Sequence, residues 1–128
     1  MTQYKLGEGE ASVAALIWDN EPLSSSRLVE LCGEKLSWKK STTYTVLRRL
    51  CERGIFRNEG GTVTSVIGRE EFAARQSEEF VERAFDGSLP KFLAAFASRK
   101  KLSREELDQL QKLIDDSFSS EKKNRKER

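Results

Sequence analysis

Apolar residues recur along this chain at two spacings, and the change from one to the other outlines the fold. Val13, Leu16 and Ile17 lie at i, i+3 and i+4, the mark of one buried helical face, and predict a helix over residues 8–19. Asn20-Glu21-Pro22 stops it, because proline cannot extend the hydrogen-bond ladder. Ser24-Ser25-Ser26 supplies N-cap oxygens for a second helix, with Leu28, Leu31 and Cys32 inside and an end near Gly33–Lys35. A turn through Trp38 leads to a third helix, capped by Ser41 or its neighbour and closed at Gly54, where a left-handed C-cap glycine fits. Its inner stripe is Thr43, Val46, Leu47 and Leu50. At about 100° per residue, that stripe turns Ser41, Thr42, Thr45, Arg48, Arg49 and Glu52 outward.

The pattern then becomes that of strands. Ile55-Phe56-Arg57 and Thr62 through Ile67 are β-prone runs on either side of Asn58-Glu59-Gly60-Gly61, which predicts a hairpin. From residue 69 the helical spacing returns. Phe72, Gln76, Phe80, Ala84 and Phe85 mark a fourth helix, stopped by Asp86-Gly87. Ser88, with Pro90 in the first turn, opens a fifth, whose stripe is Leu89, Phe92, Leu93, Phe96 and Ala97. Ser103 and Glu106 form a capping box for a sixth, with Leu107, Leu110 and Ile114 along one side. The expected fold is mainly α with a small β-hairpin. A winged helix-turn-helix spans 1–68, a three-helix dimerisation arm spans 69–120, and a charged, disordered tail spans 121–128.

Composition changes this picture in three places. Hydrophobic residues make up 37% and charged residues 34% of the 128, which suits an ordered chain with much exposed helix surface. The net charge of +2 says little, but its distribution says more. Lys39, Lys40, Arg48, Arg49, Arg53 and Arg57 face a single acid, Glu52, between residues 39 and 57, while 69–120 carry nine basic and eleven acidic side chains. A basic surface at one end suits contact with phosphate there.

The chain has no histidine, which removes the commonest general base and metal ligand. Cys32 and Cys51, on apolar helix faces, read as small core residues rather than nucleophiles or a disulfide. No catalytic constellation, metal site or cofactor is expected. The N-terminus has no apolar run for a signal peptide and no stretch could insert in a membrane, so the chain is expected to be cytoplasmic.

The third helix carries the candidate chemistry. A helix in the major groove of double-stranded DNA needs short polar groups for base edges and cations for phosphates. Its outer face offers Ser41, Thr42 and Thr45, then Arg48 and Arg49, with Lys39 and Lys40 ahead of it for the backbone. Threonine contributes both a hydroxyl and a methyl that can meet thymine. Such a face also fits a merely solvated helix; its position between a short helix and a glycine-turn hairpin favours DNA. The later stripes also fit an ordinary core, but they continue past a complete small domain. A two-fold partner would cover Phe92, Phe96, Leu107, Leu110 and Ile114 as a homodimer interface. The alternative to a DNA reader is a winged-helix module that binds protein.

The sequence resembles the BlaI/MecI penicillinase-repressor family and its copper-responsive relatives from Leu6 to Ser117. The resemblance rests on Leu6-Gly7-Glu8, Ile17-Trp18, Trp38 through Thr45, Leu50, Gly54, Phe85 through Leu89 and Leu102-Ser103. It implies a homodimeric repressor on a palindromic operator, with Ser41, Thr42, Tyr44, Thr45 and Arg49 where such proteins face the groove. It also implies a β-lactam-responsive circuit, in which a membrane sensor-protease signal leads to cleavage within the fifth helix. The matching bond is Ala95–Phe96, although alanine stands where the family often has asparagine. Two further departures stand out. The hairpin is short, with Gly61-Thr62 replacing a basic residue, and the tail lacks the paired cysteines of the copper-responsive relatives.

Overall fold

A computed structural model of the chain describes residues 4–126, with side chains described to residue 117. Helix α1 (Glu8–Asn20) starts with Glu8 and Glu10 in its first turn, where carboxylates favour the positive helix end. The Glu10 carboxylate also accepts from the Gly7 N–H at 3.0 Å. Val13, Ala14 and Ile17 point into the core. Two residues past Glu21, Leu23–Ser24 forms a short strand, β1. Ser24 then caps α2 (Ser25–Leu36), its Oγ accepting from the Arg27 N–H at 3.0 Å.

Helix α3 (Lys40–Glu52) buries Thr43, Val46, Leu47 and Leu50, the stripe the spacing predicts. Its start differs from the expectation: Lys39 occupies the cap position without a side-chain bond, and Ser41 already lies in the first turn. Its end is a Schellman motif. Gly54 takes φ +78°, its N–H donates to the Cys51 carbonyl, and the Ile55 N–H donates to that of Leu50.

The hairpin pairs β2 (Phe56–Glu59) with β3 (Thr62–Ser65), Glu59 opposite Thr62. Strand β2 runs through Asn58 and Glu59, which the sequence reading put in the turn. The turn itself is Gly60-Gly61 alone, both at positive φ, as a two-residue hairpin loop requires. Strand β1 adds a third member on the other side of β3, with Leu23 opposite Val63 and Ser24 opposite Thr62.

These elements enclose one core that includes Ile17, Leu28, Leu50, Ile55, Phe56 and Val63. Trp18 spans its edge, donating to the Ile67 carbonyl at 3.1 Å and packing on Phe56 and Phe72. Phe72 comes from α4 (Arg69–Phe85), and it is that helix's one buried residue. Hence α4 packs with the winged helix, and the break in packing falls after Gly87 rather than at residue 68: the compact units are Met1–Gly87 and Ser88–Arg128.

The second unit holds α5 (Leu89–Arg99) and α6 (Arg104–Lys126). Its caps are those the sequence predicts. Ser88 Oγ accepts from the Lys91 N–H at 3.2 Å, and Ser103 and Glu106 exchange both capping-box bonds at 3.1 Å. The backbone of α6 stays helical through Lys126, beyond residue 120, where the charged tail was expected to begin. Glu127, Arg128 and the tail's side chains lie outside the described residues. The architecture is a winged helix-turn-helix followed by a two-helix unit. Among the described residues no helix is long and apolar enough to cross a membrane.

Candidate nucleic-acid interface

The turn between α2 and α3 sets how the third helix is presented. Ser37 adopts a left-handed conformation, φ 58°, and ends α2. Trp38 then donates its backbone N–H to the Cys32 carbonyl at 3.2 Å and lays its ring against α1 at Gly9. A Cβ at Gly9 would sit 3.1 Å from two atoms of that ring, so glycine is what lets α1 and the turn approach. In the sequence, Gly9 is marked only as a glycine inside a helical stretch.

Below the turn, Thr43 is fully buried and its hydroxyl points at the Lys39 carbonyl, 3.4 Å away. Thr43 also hydrogen-bonds the Cys32 thiol, a smaller influence on that group than burial, which pushes its pKa up. Burial raises the Cys51 thiol as well, against a weaker opposing bond from the Asn58 backbone. Neither thiol has an environment that would activate it.

The outer face emerges as the spacing requires: Lys39, Lys40, Ser41, Thr42, Thr45, Arg48, Arg49 and Glu52 are all exposed. From Ser41 to Arg49 the row extends about 12 Å along the helix. Thr45 donates its hydroxyl proton to the Ser41 carbonyl at 2.9 Å. What it presents outward is therefore a hydrogen-bond acceptor and a methyl. Among the described residues, Lys39, Lys40, Arg48 and Arg49 make no ion pair.

Three residues of this segment sit elsewhere. Tyr44 is half-buried on the flank of α3, its hydroxyl donating to Ser25 Oγ at 3.2 Å, with Lys40 Nζ 5.9 Å from the ring centroid. Arg53 turns inward, pairing with Glu10 at 3.3 Å and donating to the Lys5 carbonyl at 2.8 Å. Arg57, on the wing, pairs with the adjacent carboxylate of Glu59 at 3.3 Å. The basic run of the sequence thus divides: four cations lie on the open face, one ties the helix end to the N-terminal segment, and one is partly offset on the wing.

The second unit presents apolar side chains instead. Phe96, Leu107 and Ile114 are exposed, and Phe92 and Leu110 half-buried. A groove of about 400 Å³ runs between α5 and α6, lined by Phe92, Leu93, Phe96, Leu102, Leu110 and Leu113. Ala95 and Phe96 lie inside α5, both exposed.

A family model described as Penicillinase repressor matches residues 6–116. The chain is 25% identical over 126 residues to the Penicillinase repressor of Bacillus licheniformis, covering 95% of this chain and 94% of that protein. With the match running from the first turn through most of α6, this chain belongs to the penicillinase repressor family.

Proposed function

We propose that the chain is a DNA-binding transcriptional repressor that acts as a homodimer on a palindromic operator, with α3 as its reading helix. The observation that carries this is the exposed outer face of α3, where Ser41, Thr42 and Thr45 precede Arg48 and Arg49 and, among the described residues, neither arginine makes an ion pair. Polar groups and unpaired cations on one rigid helix can exchange water and counterions for base edges and phosphates. Two such helices fit half-sites about one DNA turn apart. The apolar side chains of α5 and α6 supply the two-fold contact, since fully burying one contributes about 1.5–3 kcal/mol.

The family's name supports a role in penicillinase control; the membrane sensor-protease signal upstream and Ala95–Phe96 as the cleaved bond rest on the sequence resemblance alone. That bond lies in a helix, so a protease needs α5 to open locally before it can bind the chain extended. Cleavage there would sever Phe96, Leu107, Leu110 and Ile114 from the DNA-binding unit, leaving Phe92 alone of the five proposed interface residues.

The test is fluorescence anisotropy on DNA from upstream of the chain's own gene against scrambled DNA at physiological salt. A preference of about 10³-fold or more is expected. Thr45→Ala or Arg49→Ala should each cost about 1–3 kcal/mol and relax specificity, while Lys40→Ala should weaken all sequences alike and lower the salt slope by about one. Equal losses on both duplexes for all three variants would refute the readout assignment. A second reading, a protein-binding winged helix, draws on the wing, where Arg57 is paired and Gly60-Gly61 offers no cation. It predicts that partner proteins, and not DNA, protect α3 from labelling.

A further inference from the structure

A row of side chains can read base edges only if the helix carrying it is held in rotation as well as in depth. Rotating α3 by about 10° about its axis would move a side-chain tip by about 1 Å, given a helix about 10–12 Å across. Functional constellations tolerate about half that displacement. The buried stripe of Thr43, Val46, Leu47 and Leu50 sets depth, but apolar contact is not directional. A hydrogen bond is.

The bond in question joins Tyr44 to Ser25. Tyr44 lies between Ser41 and Thr45 in sequence, yet is half-buried on the helix flank, where its hydroxyl donates to Ser25 Oγ. Ser25 is the first residue of α2 and is itself buried. Its backbone N–H donates to the Gly61 carbonyl in the wing turn at 2.8 Å, and the preceding Ser24 pairs with Thr62. Through one serine, α3 is therefore tied to the start of α2 and to the wing. The Tyr44 ring also lies beneath Lys40 Nζ.

We propose that Tyr44 is a positioning residue for operator readout: its hydroxyl, acting through Ser25, fixes the rotation of α3 relative to α2 and the wing. This role differs from the direct groove contact that the family resemblance assigns to Tyr44, and it rests on α3 being the reading helix. The division of labour within the side chain follows. The ring keeps Lys40 in place for sequence-independent attraction, and the hydroxyl serves discrimination alone.

Tyr44→Phe separates the two, since it keeps the ring and removes the hydroxyl. The probes are the duplex that the wild-type protein enriches from a random-sequence pool and a scrambled duplex of equal composition, each titrated at several salt concentrations. Losing one hydrogen bond's worth of alignment, Tyr44→Phe is expected to bind the enriched duplex about three- to tenfold more weakly. Its affinity for scrambled DNA and its salt slope should not change. Ser25→Ala, which keeps the backbone bond to Gly61, should show the same selective loss, and the double variant should lose no more than the worse single one. Wild-type discrimination by Tyr44→Phe, or losses that add in the double variant, would overturn the proposal. So would equal losses on both duplexes with a shallower salt slope, which mark a direct phosphate contact. If the wild-type protein enriches no sequence, the reading role of α3 falls, and this proposal with it.

Discussion

The two units of this chain treat their apolar residues in opposite ways. Between residues 1 and 87 the large side chains converge on one core, with Leu28, Leu50 and Val63 at zero exposure and Trp18 closing an edge. From Ser88 on, α5 has no buried residue, and Leu113 and Ile114 remain 63% and 55% exposed. Both regions carry helical stripes of similar clarity in the sequence. The difference lies in geometry: three helices and a sheet can surround a centre, whereas a pair of helices has only one mutual face. The first unit completes its fold within one chain, and the second presents what a second chain can cover.

The sharpest way to break that contrast is to charge the second unit. Leu110→Asp combined with Ile114→Asp would place two carboxylates in the proposed shared core, where unpaired charge is strongly disfavoured. Sedimentation should then show monomer, and operator affinity should fall by about 10²-fold or more with the loss of bivalent binding. Both tryptophans, Trp18 and Trp38, lie in the first unit, so their emission reports that unit alone. It should be unchanged. Persistence of the dimer would mean that these stripes are not what joins the two copies.

Leu50→Ala makes the complementary cut. Leu50 is fully buried at the C-terminal end of α3's inner stripe, and its truncation should cost about 2–5 kcal/mol, read as an earlier tryptophan transition in urea. A smaller effect is expected from Gly54→Ala. At φ +78° the added methyl meets no atom within 4 Å but forces a left-handed alanine, a cost of about 1–2 kcal/mol in the same assay.

How far the sequence foretold this molecule follows from the range of each interaction. The helix stripes, the Ser103–Glu106 box and the existence of the hairpin are set by residues a few positions apart and were legible, although the turn is Gly60-Gly61 alone rather than the four residues expected. The open face of α3 was legible for the same reason: once Thr43, Val46, Leu47 and Leu50 are inside, the rest is angle. What escaped depends on distant partners. Strand β1 is two residues long and exists because Val63 and Thr62 come alongside it. Arg53 leaves the basic face for Glu10, 43 residues away, and Tyr44 turns toward Ser25. Phe72 joins the first core although its helix resembles those that follow. No local pattern encodes these pairings.

The subtlest prediction concerns the two thiols, which both lie in the first unit. Burial raises the pKa of Cys32 and of Cys51, so the folded chain holds their protons to higher pH than the unfolded chain does. The stabilisation tied to the protonated thiols is therefore complete below the ordinary thiol pKa of about 8.5 and is lost as pH rises through the folded values. The tryptophan-monitored midpoint in urea should decline on the alkaline side. The Cys32→Ala, Cys51→Ser variant should decline less steeply, because it lacks the two thiols whose protons the fold retains. Iodoacetamide at pH 8 should separate the two sites, with the half-buried Cys51 modified before the buried Cys32 and both more slowly than free cysteine. Equal alkaline slopes, or Cys32 reacting first, would mean that water reaches the inner face of α2. The first unit would then be less completely closed than its packing implies, and the contrast with the second would narrow.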